Sequence, residues 1–479
     1  MKKYQDVKYS SIKEGVNTTH KDTSNVGSMF VIEGGHKLHG KVSLLGGKNT
    51  VLPLICATLL TKEPCIIKDV PKISDVRNLL KILKLLGSKI EHITKDDIKI
   101  TNKDLIYTDS ILPYIEKLRG SVLLLAPFII RFKSFKFKYP GGDRIGSREL
   151  SAHFKGFEAL GVGVSFYDDY FDISLQKERP SGSDIFLYEP SVTATENLVM
   201  LASLSQGDTV IENSACEPHV VELSKMLVSM GARIEGIGTN VLIIHGVEEL
   251  KGTKYTIIKD IVEIVTYIVF ALMSGGDITI LDVYPQYMKS IFYVFLKFNI
   301  QIDVIKVSEN KFNIHVPANQ DMYLRTDLGF NNLGIYTHPY PGFPTDLLSL
   351  FIVLATKVKG DILFFEKMYE NRLKFALPLE IMGAKFEFID NNRIIVKGGV
   401  ELKGSKDQSS KNLGSKNLGS KNQSPILVVP DIRAGVAYVA AALSADGVSR
   451  VYNVEHIDRG YPHIEKTLQS LGASIRRIK

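Results

Sequence analysis

The sequence predicts an α/β protein of two domains, each made of three similar βαβ-containing units. Three observations carry this reading. The chain has 479 residues, too many for one ordinary core and suited to two of roughly 200 residues each. A strand, helix, strand pattern returns along its length. A helix-ending Gly or Asn marks each return.

Each unit opens on a small-residue turn and a short β-branched strand, enters an amphipathic helix, breaks, and closes with one or two strands. In the clearest copy, residues 62–100, EPCIIKDV reads as strand, DVRNLLKILKLLG as helix and SKIEHITKDDIKI as the closing pair. Val76, Leu79, Leu80, Leu83 and Leu86 form one apolar stripe, and Gly87 supplies the stop. Equivalent breaks fall at Gly161, Gly231, Asn299, Gly383 and Gly472, at intervals of 74, 70, 68, 84 and 89 residues. Asn at the fourth is apt, because Asn also tolerates the left-handed conformation of a helix stop. The last interval is stretched by residues 404–424, GSKDQSSKNLGSKNLGSKNQS, in which SKNLG occurs twice. So few apolar side chains cannot offset the entropy of ordering, and a flexible surface loop is expected. Residues 1–28 are polar, carry no apolar signal segment and read as a disordered extension. The pattern leaves open whether the helices lie inside a ring of sheets or stack on them.

Composition is ordinary for a globular protein, with 44% hydrophobic and 23% charged residues. The net charge of +7 is dispersed, a weak hint of an anionic ligand, and the basic stripe with interleaved aromatics that nucleic acid would want is missing. Cys56, Cys65 and Cys216 have no metal-ligand or CxxC spacing and point to a reducing compartment, the cytoplasm. Apolar runs such as 121–130 and 347–355 fall short of the roughly 18 residues of a membrane span. No HExxH or Cys/His cluster offers a metal site, and GxGxxG and GxxxxGK(S/T) are missing where a nucleotide fold needs them.

Several Gly- or Pro-rich stretches hold charged residues. GGKNTVLP (46–53) presents Lys48 and Asn49 at the head of an apolar helix, a reasonable anion grip, although an ordinary capping turn explains it better on its own. KLRGSVLLLAP (117–127) places Arg119 before another apolar helix, where a snorkelling arginine is an equal reading. YPGGDRIGSREL (139–150) carries Asp143 among Arg144 and Arg148 on a glycine loop, which suits either a lid bringing an acid to a phosphate-bearing substrate or a surface ion-pair turn. YPGFPTD (340–346) ends with Asp346 before LLSLFIVLA, a helix N-cap or a base. DIRAG (431–435) and HIDRGYPHIE (456–465) put Arg433 and Arg459 at turn-to-helix junctions.

Together GGKN, the PGGDRIGSR loop, PSVTATEN, YPGFPTD, DIRAG and HIDRGY resemble, in order, the UDP-N-acetylglucosamine 1-carboxyvinyltransferase family of enolpyruvyl transferases, over about 29–479 without the inserted loop. The resemblance implies two inverse α/β barrels of βαβαββ units, one domain from 29–48 plus 259–479 and the other from 49–258. It implies transfer of the enolpyruvyl group of phosphoenolpyruvate to the 3-hydroxyl of UDP-N-acetylglucosamine, with release of phosphate, as the first committed step of peptidoglycan synthesis. The implied partners are these small molecules alone, with no metal or organic cofactor, no nucleic acid and no membrane, in a cytoplasmic monomer or weak homo-oligomer.

By the same resemblance Lys48, Asn49, Arg148, Arg433 and Arg459 would surround phosphoenolpyruvate. Arg119, Arg148, Glu149, Leu150, Ser151, Ala152, Ser191, Val192, Asp346 and Met368 would meet the UDP-sugar. Asp346 would be the base and Asp143 the acid, with Lys48 and Arg433 completing the catalytic set. Asp143 stands where most of the family carries cysteine; a carboxylate is a poor nucleophile toward an epoxide, so insensitivity to fosfomycin is expected. Glu149 in place of proline, Thr193 in place of glycine, and KDIVEIVTY (259–267) at the domain crossing are further departures. Transfer to shikimate 3-phosphate, or a non-catalytic UDP-sugar-binding role, are the alternative readings.

Overall fold

The computed structural model describes residues 27–141, 149–309, 311–326, 334–406 and 425–479. Asp143, Arg144, Arg148, residues 1–26 and residues 407–424 lie outside the described residues.

The repeat is plainest in the backbone at its breaks. Gly87, Gly161, Gly231, Asn299, Gly383 and Gly472 all take positive φ, from 55° at Asn299 to 106° at Gly87 and Gly231. A Cβ is strained in that region, which explains why these positions are Gly or Asn. Between the breaks lie helices α1 (Lys48–Ala57), α2 (Ser74–Leu85), α3 (Leu125–Phe132), α4 (Ser151–Ala159), α5 (Val192–Ala202), α6 (Pro218–Ser229), α7 (Ile261–Ser274), α8 (Lys289–Lys297), α9 (Leu348–Lys357), α10 (Ile432–Ser444) and α11 (Ile464–Ser470). No helix among the described residues is long and apolar enough to cross a membrane.

The apolar side chains gather into two cores, one from residues 30–44 and 264–475 and the other from 51–257. In the first, α7, α9 and α10 pack on one another and are buried all round over 264–274, 348–356 and 432–443. In the second, α1 and α5 are buried likewise over 50–57 and 194–202. Helices apolar on every face belong inside, so the sheets form the outer wall, as an inverse α/β barrel requires. Among the described residues there are five four-stranded sheets and one three-stranded sheet.

The usual unit is a right-sized βαβ crossover. Asp184–Phe186, Ile335–Tyr336 and Ile426–Val428 lead through α5, α9 and α10 to the parallel neighbours Asp208–Glu212, Asp361–Phe365 and Val448–Tyr452. At the passage between cores the units are exchanged. His39–Ser43 leads through α1 to Cys65–Lys68, yet its parallel neighbour is Asp277–Val283, while Cys65–Lys68 lies parallel to Lys254–Thr256. The two passing strands are bonded to each other, with Gly46 bridged to Lys259 and the Gly47 N–H donating to the Ile258 carbonyl at 2.9 Å. A Cβ on Gly46 would stand 2.5 Å from Ile257 Cγ2 and 2.6 Å from the Asp69 carbonyl, so the close approach requires glycine.

Three expectations change in detail. On α2 the buried face runs through Asp75, Val76, Leu79, Ile82 and Leu83, with Leu80 only partly buried, because the helix turns its seam toward Ile82. The helix of the fifth unit, Arg372–Met382, is 3-10 and holds Pro378, which has no N–H for an α-type bond. The expected loop begins later than residue 404, since the Gly404 and Ser405 N–H groups donate to the Asp446 and Val448 carbonyls at 2.8 Å.

Gly231→Ala tests the repeat geometry. Nothing lies within 4 Å of an added Cβ there, so backbone strain alone should lower the unfolding free energy by about 1–2 kcal/mol, read by urea denaturation.

Candidate active site

The cleft between the cores holds a cavity of about 390 Å³, lined on one side by α1, α5 and the head of α6, and on the other by the turn before α9, the head of α10 and Arg459. Its floor is the double passage. Asp260 accepts from the Val262 N–H at 2.8 Å, capping α7, and from the Lys48 N–H at 3.1 Å, capping α1. One carboxylate thus satisfies exposed donors at two helix N-termini, where its charge also meets both helix dipoles.

Lys48 Nζ pairs with Asp75 Oδ2 at 2.7 Å, and Arg459 Nε lies 3.4 Å from Asp75 Oδ1. Across the cavity Asp346 Oδ2 accepts from Arg433 at 2.8 Å and Oδ1 from Arg372 at 3.2 Å. Burial raises the pKa of Asp346, but Arg433, Arg372 and Lys48 outweigh it and hold the carboxyl well below the usual range. Arg433 also donates to the Tyr461 hydroxyl at 3.3 Å, and its own backbone N–H is taken by Asp431, the cap of α10. Asp346 makes no capping bond to the helix that follows it, so the cap reading gives way to an ion-paired carboxylate.

Lys48, Asn49, Arg119, Val192, Asp346, Met368, Arg433 and Arg459 are thereby brought to one cavity. Glu149, Leu150, Ser151, Ala152 and Ser191 are not among its lining residues. Leu150 and Ala152 belong to the second core, which leaves only their backbone to meet a ligand. Ser151 Oγ bonds Glu149 at 3.2 Å and the Tyr188 hydroxyl at 2.7 Å. Thr193, the departure from glycine, bonds His153 Nε2 at 2.9 Å. Asp143 and Arg148 lie outside the described residues.

The sequence reading missed Asp75, Asp260, Arg372 and His219. Asp75 had a signal, an acid on the otherwise apolar face of α2; Arg372 had none, since its partner is 26 residues away. His219 is held down to about 4, chiefly by burial, against the opposing pull of Asp346 and Asp260, and is neutral at physiological pH.

The model of the family described as EPSP synthase (3-phosphoshikimate 1-carboxyvinyltransferase) matches residues 32–468. The chain belongs to the EPSP synthase family. Within that family it is 39% identical over 456 residues to a protein of Bacteroides fragilis named UDP-N-acetylglucosamine 1-carboxyvinyltransferase, covering 94% of this chain and 99% of that one. A protein of Borreliella burgdorferi with the same name is 38% identical over 450 residues, covering 94% and 99%. Among solved structures, the enolpyruvyl transferase NikO of Streptomyces tendae matches with a TM-score of 0.80 at 20% identity, covering 95% and 99% of the two chains. EPSP synthase of Acinetobacter baumannii matches at 0.70 and 15%, covering 95% and 100%. The two structures share the fold of this family member.

Asp346→Asn removes the counter-charge of two guanidinium groups that are 7% and 4% exposed as residues. Stability should fall by about 2–4 kcal/mol, and inorganic phosphate should raise the melting temperature of the variant more than that of the unmodified protein.

Proposed function

We propose that the chain transfers the enolpyruvyl group of phosphoenolpyruvate to the 3-hydroxyl of UDP-N-acetylglucosamine and releases phosphate, committing the sugar to peptidoglycan. The near end-to-end match to proteins named for that reaction carries this reading over the shikimate alternative, since the likeness to EPSP synthase structures is at 15% identity. We take the two cores as two domains, 29–48 with 259–479 and 49–258, that close on the substrates and exclude water.

In this reading Lys48, Arg433 and Arg459, with Arg148, receive the phosphate and carboxylate of phosphoenolpyruvate, for which planar guanidinium groups are well matched. Asn49 stands beside Lys48 at phosphoenolpyruvate, and Arg119, Val192, Met368 and the backbone of 149–152 and 191 serve the UDP-sugar. Asp346 takes the proton of the 3-hydroxyl as its oxygen bonds to C2, and Asp143 gives a proton to the methylene carbon. The resulting tetrahedral adduct loses phosphate and a methyl proton to restore the double bond. Held by two guanidinium groups, Asp346 is ionised but weakly basic. Phosphoenolpyruvate, by drawing Arg433 toward its own charges, restores that basicity at the moment it is needed.

Phosphate release should appear with UDP-N-acetylglucosamine as acceptor and not with shikimate 3-phosphate; release with neither would leave only a binding role. Asp143→Asn should abolish turnover, and an active Asn variant would remove Asp143 from the acid role. Fosfomycin should leave the unmodified protein active and should inactivate Asp143→Cys, because the thiolate and not the carboxylate opens the epoxide. A stable adduct on the unmodified protein would contradict this.

A further inference from the structure

The acceptor side of the cleft contains a carboxyl group for which neither the fold nor the chemistry above has a use. Glu196 lies in the first half of α5, is 1% exposed, and lines the cavity. Its Oε1 has no hydrogen-bond partner, and neither has Oε2 of Glu217, the residue before α6 that lines the same wall. Glu217 Oε1 is occupied, accepting from the Tyr340 N–H at 3.2 Å. A buried carboxyl oxygen with no partner costs free energy that packing does not return, and Leu, which follows twice on this helix, would fill the same space.

We propose that Glu196, as the neutral acid, donates its O–H to an oxygen of the UDP-sugar and so acts as a specificity-determining residue for the acceptor. The inference rests on the UDP-sugar reading. Val192 and Glu196 are one helical turn apart on one face, and both line the cavity, so a ligand seated at Val192 reaches Glu196. The cavity lining also includes apolar Leu52 and Leu123 together with the donors Asn49 and Arg119. A carboxylate in that place would repel a diphosphate-bearing ligand, whereas a carboxylic acid binds it.

The surroundings keep the proton on. Burial first, then the Glu217 charge, raises the Glu196 pKa well above its ordinary value. Burial also raises Glu217, against backbone donors that lower it. From the packed elements, α1 presents Cys56, whose thiol burial and Glu196 push upward. Arg119 stands before α3, His153 on α4 is lowered to about 3 by burial and Arg119, and His219 on α6 is lowered to about 4. Both imidazoles are therefore neutral at physiological pH and add no positive charge that would draw the proton from Glu196.

Calorimetric binding of UDP-N-acetylglucosamine at neutral pH tests this for the full chain and two variants of similar shape. Glu196→Gln keeps a donor of similar shape and should bind as tightly as the unmodified protein. Glu196→Met has no donor and should bind about threefold to tenfold more weakly, with the KM for phosphoenolpyruvate unchanged. Equal affinity of the Met variant, or a Gln variant that binds as weakly as Met, would overturn the proposal. Binding that follows the expected pattern without phosphate release would instead count against the reaction and leave the assignment of Glu196 standing.

Discussion

Everything in the cleft is hung from the double passage of the chain between the cores. Because Gly46 is bridged to Lys259 and Asp260 caps both α1 and α7, the heads of these two helices cannot move independently of the passage. Lys48 is the first residue of α1, so its ammonium is fixed relative to the floor on which both walls stand. The exchanged strands reinforce this, since each core borrows a parallel strand that the chain lays down on its way to the other. Lys259 ties the passage to Asp69 at 3.0 Å, so the crossing segment holds an ion pair of its own.

The site is held in tension by charge. Two carboxylates, Asp75 and Asp346, each stand between two cations. Pairs this buried gain little net stability over apolar packing, because desolvation consumes most of the Coulomb attraction. Their value lies in readiness: the cations are already oriented, and an anionic substrate replaces a protein carboxylate without reorganising the wall. The same arrangement keeps Asp346 ionised in the free protein while restraining its basicity.

The architecture was legible because its signal is local. A helix stop in the left-handed region admits Gly or Asn and little else, and all six breaks could be read one residue at a time. The cation set was legible by order of motifs. Asp75 showed as an acid on an apolar helix face, but its partner Arg459, 384 residues distant, and the pairing of Arg372 with Asp346 leave no trace in spacing. Neither could spacing tell whether α9 and α10 were inside or outside the sheets, since a run of apolar residues reads alike as a buried helix or a buried strand. Glu196 was hidden for the opposite reason: PSVTATEN carried the family likeness as a phrase, and a single acid in a helix reads as a solvated face until its burial is known.

The cleft walls also touch through hydrogen bonds outside the passage. Lys225 donates to the Tyr287 hydroxyl at 3.1 Å, that hydroxyl donates to Glu222 at 3.2 Å, and Tyr340 donates from its backbone to Glu217. Each such bond is worth about 0.5–1.5 kcal/mol net, so the three together hold the walls near one another without locking them. The passage is covalent and doubly bonded, whereas these are a few polar contacts. Arg459 and Asp75 add a further contact between the two walls at 3.4 Å. Glu217 links the Tyr340 contact to the acceptor wall, because the Tyr340 N–H favours its ionised form and the ionised form favours a proton on Glu196.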